Sequence, residues 1–178
     1  MEKDNWFTLA CTSDGKDMSK TVKTISDWYD NHETIVNPYT RHTWRTLSEA
    51  CEVQARRMLE LYNVKAESRS GQPYFSEHEM FQDIKEGWIL ISKDNTDHPL
   101  MSERETFYGR LWHDLTHNEI QANFGFIGET QVYRRQVEHA KQYHAKDAVG
   151  IDHALYLDIV AQVASGLVYQ CFPEQKTF

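Results

Sequence analysis

Apolar residues recur at helical spacing through most of the chain. Val22, Ile25, Trp28 and Tyr29 predict a helix over Met18 to His32, closed by the polar Asp30-Asn31-His32 stretch. Leu47, Ala50, Cys51, Ala55, Met58, Leu59 and Tyr62 form one stripe and predict a second helix from Thr46 to Tyr62. The polar run Lys65 to Pro73, with Gly71, reads as a loop. Ser76 followed by Glu79 is a capping box opening a helix with Met80, Phe81 and Ile84 on its apolar face, and Gly87 stops it. Trp88-Ile89-Leu90-Ile91 is a short strand-like run, enough for a hairpin or an edge. A second capping box, Ser102 with Glu105, starts a helix expected to reach Gln121. The glycines of Asn123 to Gly128 break it. Further helices are expected from Glu129 to about His144 and from Asp152 to about Tyr169, before Pro173. The pattern defines a mainly all-α chain, a helical bundle with a small β element near residues 88–92.

The 178 residues fit a single helical domain, with N-terminal helices in 1–70 and the chemistry-bearing region in 76–172. Apolar content of 40% and charged content of 26% are those of a globular chain with a core. The net charge of -8 argues against general nucleic-acid binding, since phosphate affinity needs clustered Lys and Arg. A small phosphorylated substrate held through a bound cation stays open. Cys11, Cys51 and Cys171 are scattered, so neither a disulfide framework nor a thiolate metal site is expected. No stretch approaches the roughly 18 apolar residues of a membrane span, and Met1-Glu2-Lys3-Asp4-Asn5 lacks a secretory apolar run. The expected location is cytoplasmic, that of the host cell for a phage-encoded chain.

The sharpest chemistry lies in His113-Asp114-Leu115-Thr116-His117. Two histidines four apart on a helix share one face, where they can bind one cation. Asp114 lies about 100 degrees round the helix and either binds at the edge or supports a ligand. The competing account is two surface histidines, because the pair points away from Tyr108, Leu111 and Leu115. Glu129 aligns with Tyr133, Gln136, Ala140 and Tyr143, and a carboxylate on a packing face needs a partner or a metal. It could equally cap its own helix. Asp158 interrupts a helix apolar nearly all round, with Gln162 four residues on. Its partner would be a metal, a histidine, or an arginine among Arg110, Arg134 and Arg135. His139 could add a ligand, support one, or face water.

The stretch Phe107 to Gln162 resembles a group of uncharacterised proteins encoded mainly by bacteriophages. The features are His113-Asp114 with His117, then Phe124 or Phe126, Gly128-Glu129, His139, and Asp158 with Gln162. Met80 to Leu100 and Phe172-Pro173-Glu174-Gln175 are similar too, and the first 70 residues match no named group. More loosely, Leu111 to Leu115 resembles the doublet of HD-domain metal-dependent phosphohydrolases, with Asp158 as their distant Asp and His78 or His98 as the upstream His. The phage-family resemblance supports the site and implies no activity; the HD-domain resemblance implies a divalent ion, of unknown identity among Mn, Zn, Fe, Ni and Mg. His113, His117, Asp158 and Glu129 would hold it, with Asp114, Glu129 and Arg110 as catalytic groups and Gln162 and His139 in support. The expected activity is hydrolysis of a nucleotide or other phosphoester, with Arg110 meeting phosphate. A metallopeptidase-like site is a further alternative, with Asp114 where HExxH has Glu. In a non-catalytic alternative a phage protein binds a host or virion partner, its first 70 residues rich in aromatics (Trp6, Phe7, Trp28, Tyr29, Tyr39, Trp44) and its His/carboxylate cluster structural.

Overall fold

The computed structural model describes residues 10–13, 16–171 and 173–177. Met1 to Asn5, Trp6, Phe7 and Phe172, named above, lie outside the described residues. In chain order the elements are β1 (Thr12–Ser13), β2 (Lys16–Asp17), α1 (Ser19–Asp30), α2 (Pro38–Tyr62), β3 (Lys65–Arg69), α3 (Glu77–Lys85), β4 (Trp88–Ser92), α4 (Glu103–Ile120), α5 (Phe126–Tyr143) and α6 (Ala148–Tyr169). The chain is mainly helical, as its periodicity predicts.

Four boundaries differ from that expectation, one of them the start of α5 at Phe126, three residues before Glu129 and just after Gly125. Helix α2 starts well before Thr46 because Asn37 caps it, accepting from the Thr40 N–H at 3.0 Å, with Pro38 in the first helical position. The stretch read as a loop from Lys65 forms β3, which pairs in parallel with β4 from Lys65↔Trp88 to Arg69↔Ser92. It is a largely exposed polar strand and so carries no apolar alternation. The connection between the strands is α3, a crossover rather than a hairpin. Helix α6 starts at Ala148, and its turn Tyr156–Ala161 is a π-helix in which Gln162 N–H donates to Leu157 O, five residues back.

The main core gathers Trp44, Leu47, Cys51 and Met58 of α2 with Leu111, Trp112 and Leu115 of α4. Ile89 and Ile91 of β4 and Ile151, Leu155 and Leu157 of α6 complete it. A second cluster joins Val22 of α1 to Val160, Ala164 and Leu167 of α6. Contrary to the sequence expectation, α6 is long and apolar enough to cross a membrane by length and composition. It is a core helix, packed on α1, α2 and α5. The three cysteines are unpaired, Cys11 and Cys51 buried and Cys171 exposed.

The tail after α6 folds back over α1. Lys176 Nζ donates to the carbonyls of Tyr29, Asp30 and His32 at 3.1, 2.9 and 2.8 Å, satisfying the orphan oxygens at that helix's end.

Candidate metal centre

The phase of α4 is set at its start, where Ser102 and Glu105 form the expected reciprocal capping box. From there His113 and His117 fall one turn apart, their rings edge to face at 4.7 Å. The pair is not on the surface. His117 is fully buried under the Phe124 ring, and the His113 side chain is only 23% exposed. α4 is enclosed by α2 on one side and α5 on another, so the face opposite Leu111 and Leu115 is also interior.

The turn between α4 and α5 brings the carboxylate. Gln121 takes a left-handed conformation at the end of α4, and Asn123 Oδ1 accepts from the Gly125 N–H at 2.9 Å. Gly128 then passes so close that a Cβ there would sit 1.9 Å from the Asn123 carbonyl oxygen. That approach requires glycine. It sets Glu129, in the first turn of α5, against both imidazoles. Gly128→Ala is expected to lower the melting temperature by about 5 °C or more, because backbone must move to admit the methyl group. An unchanged thermal transition by circular dichroism would remove this account of the turn.

Glu129 meets one histidine with each oxygen: Oε2 lies 2.8 Å from His113 Nε2 and Oε1 lies 3.4 Å from His117 Nε2. The outer ring nitrogens are held separately. His113 Nδ1 is 3.1 Å from Asp114 Oδ1, and His117 Nδ1 donates to the Ala122 carbonyl at 3.2 Å. Both rings therefore turn Nε2 toward Glu129, and the three donor atoms lie within 4.8 Å of one another. Two ligands of one tetrahedral ion stand roughly 3.4 Å apart, given bonds of about 2.1 Å. A small closing movement of the three side chains suffices, and the cluster could hold a metal ion.

His117 supplies the test of fit. Its Nδ1 hydrogen is committed to Ala122, so a neutral ring points the Nε2 lone pair at a carboxylate. That nitrogen is buried and has no hydrogen-bond partner. Lone pair against carboxylate is repulsive unless a proton or a cation lies between them. Burial alone raises the Glu129 carboxyl, but the charges of His117 and His113 outweigh it and hold it far below its ordinary range. Burial alone depresses the His113 imidazolium, but Glu129 and Asp114 outweigh that and raise it to about 10. A hydrogen-bonded carboxylate behind a ligating imidazole orients the ring and raises its basicity. Asp114→Asn is expected to weaken metal binding by about 10- to 100-fold, measured by calorimetric titration; unchanged affinity would show that Asp114 does not act through His113.

Asp158 lies in the π-helical turn and lines a cavity of about 200 Å³ together with His113, Glu129, Arg110 and Gln162. It is not in the compact donor set. Burial raises its carboxyl, opposed by the charges of His113 and Arg110. Arg135 is turned to Glu119 and Glu138. Arg110 donates to three carbonyls, Ser92 at 2.7 Å, Asp94 at 2.6 Å and Asn95 at 2.7 Å, and so pins the loop after β4 beside the site. His139 is buried and belongs to a neighbouring network. Its Nδ1 accepts from Trp112 Nε1 at 3.5 Å, and its Nε2 lies 3.4 Å from Glu119 Oε2. His78 is exposed, and His98 is half-buried against Trp44, its imidazolium depressed to about 4 by desolvation.

Two further groups act here without a signal in the sequence: the Ala122 carbonyl, a backbone atom, and Glu119, the partner of His139. Gln136, on the same stripe of α5 as Glu129, is buried. Outside the inner cavity, His113, Asp114 and Glu129 line a cleft of about 350 Å³ with Tyr74, Asn95 and Phe124. Glu129 thus stands between an inner cavity and an outer cleft. Comparison with protein-family models, curated proteins and solved structures returned no match.

Proposed function

We propose that this chain is a phage-type metal-dependent hydrolase acting on a small phosphoester, nucleotides included, that enters by the outer cleft. The observation that carries this reading is the orientation of the two imidazoles. Each has its Nδ1 held by an oxygen and its Nε2 turned to one carboxylate, the arrangement that favours a divalent cation over a free histidine pair. A divalent cation supplies Lewis acidity, polarising a phosphoryl oxygen and acidifying water. The cleft carries Asp94, Asp114 and Glu129, so an anionic substrate depends on the cation for its affinity. Arg110 fixes the cleft wall, and Asp158, its carboxyl raised by burial against the charges of His113 and Arg110, lines the adjoining cavity. Asp114 faces the Nδ1 edge of His113, away from Nε2, which disfavours a peptidase-like general base at that position.

Metal analysis of the purified protein, followed by titration with manganese, zinc and nickel, tests the reading. Roughly one ion per chain, and metal-dependent release of nitrophenol from mono- and bis-nitrophenyl phosphate, is the expected result. A chain that contains no metal and binds none ends the proposal.

A second reading has its own observation. Trp28, Ile35, Val36 and Tyr39 are 38%, 48%, 44% and 60% exposed around the junction of α1 and α2. Exposed apolar side chains close in sequence suit a host or virion protein partner, with the His/Glu cluster acting as a buried ion pair. A double His113→Ala, His117→Ala variant that melts lower but still captures that partner would favour it.

A further inference from the structure

We propose that the inner cavity is a binding pocket for a small, neutral, planar amide group, one N–H beside one carbonyl as in a lactam or pyrimidine-type ring. This deepens the hydrolase reading by naming the non-reacting part of its substrate.

The cavity of about 200 Å³ is large enough for one ring; an apolar cavity of about 150 Å³ accepts benzene. Its walls combine apolar side chains (Met101, Leu155, Ile159, Val163) with polar ones from three helices: Thr106 of α4, Gln136 of α5, and Asp158 and Gln162 of α6. Three of these four hold a buried atom without a hydrogen-bond partner: Thr106 Oγ1, Gln136 Oε1 and Gln162 Nε2. Gln136 is 1% exposed and Gln162 is 7% exposed. Buried polar atoms left unpaired are rare in folded proteins because each loses its hydration without return. Three around one cavity point to a ligand that pairs them. Glutamine amides turn easily about their last torsion, so each can present its free atom to a guest at small cost.

The two amides set the chemistry. Gln136 offers a carbonyl acceptor and Gln162 an N–H donor, which together complement an amide edge. The carboxyls of Asp158 and Glu129 share the lining with the cationic Arg110 and His113, so the cavity selects neither net charge. A neutral ring carrying a donor and an acceptor satisfies both amides, and the aliphatic walls cover its faces. Glu129 and His113 also line this cavity, so a ring bound there lies beside the three donor atoms.

The test uses 2-pyridone as the smallest ring with this edge, titrated into metal-free protein and followed by amide chemical shifts. N-methyl-2-pyridone, which lacks the N–H, and toluene, which lacks both groups, serve as comparators. Saturable binding of 2-pyridone is expected, at least tenfold tighter than either comparator. Gln162→Leu is expected to weaken it at least tenfold, with a melting temperature equal to or above that of the parent, since an unpaired amide has been removed. Equal binding of 2-pyridone and its N-methyl form, or no saturation up to about 10 mM, would overturn the proposal, as would full retention of binding in Gln162→Leu. Because no metal is present, failure here leaves the metal titration to be judged separately, and failure of the metal titration leaves this result standing.

Discussion

A Glu129→Gln variant is expected to lose metal affinity by a hundredfold or more (order of magnitude) while its metal-free form melts several degrees lower. The first effect follows from charge. Glu129 is the anionic member of the donor set, and the amide keeps its shape but not its charge. Removing a carboxylate that merely supports a ligand costs about 10- to 100-fold, so removing a ligand should cost more. The second effect follows from burial. Taking one partner from a buried ion pair costs on the order of 3–5 kcal/mol. The His113 ring can discharge by losing its proton, so about 2 kcal/mol is the better figure, or roughly 4–8 °C for a chain of this size. His139→Ala provides the contrast. It breaks the Trp112–His139–Glu119 network and should lower the melting temperature with metal affinity unchanged. If calorimetry gave the same metal affinity for Glu129→Gln as for the parent, the three-residue centre would be wrong.

The second large effect is on pH. His113 has an ordinary value of 6.5, raised to about 10 in the folded chain. Its contribution to stability is fully present below pH 6.5 and is lost as pH rises toward 10. Glu129 is lowered from 4.5, so its contribution is present above pH 4.5 and is lost as pH falls through its depressed folded value. Without metal, this pair therefore helps the fold most between pH 4.5 and 6.5. Metal binding runs the other way at its upper side, since an ion must displace the proton on His113. Apparent affinity should tighten between pH 6 and 9, by up to about tenfold per unit. Melting curves of metal-free and metal-loaded protein across that range give both slopes. A flat affinity would mean that no proton leaves the site when metal enters.

Much of the helical frame was legible in the sequence because local chemistry fixes it. Ser102 and Glu105 phase α4, and the spacing of His113 and His117 then places both rings on one face. The glycine-bearing break before Glu129 was visible, but Gly128 itself lies inside α5, and its close pass of the Asn123 carbonyl is a matter of backbone path. The interior position of the histidine pair was not legible. Periodicity locates the apolar side of a helix, and α4 has a second buried side that is polar, closed by α5 and Phe124. His139 shares its helix with Glu129 yet turns to Trp112 and Glu119, partners that arrive from elsewhere along the chain. Strand β3 left no trace because an exposed polar strand has no alternation to show.

The wide turn at Tyr156–Ala161 has a further meaning. A π turn is an α-helix carrying one residue more than its hydrogen-bond ladder needs. Shortening that turn by one residue would restore an ordinary helix and rotate the segment after it by about 100 degrees relative to the segment before it. Asp158 and Gln162 would no longer share the cavity wall, and the surface that meets α1 would turn with them. The polar lining of this site is thus tied to a count of residues as much as to their identity. Single-residue deletions along α6 should disturb it even when every side chain named here is retained.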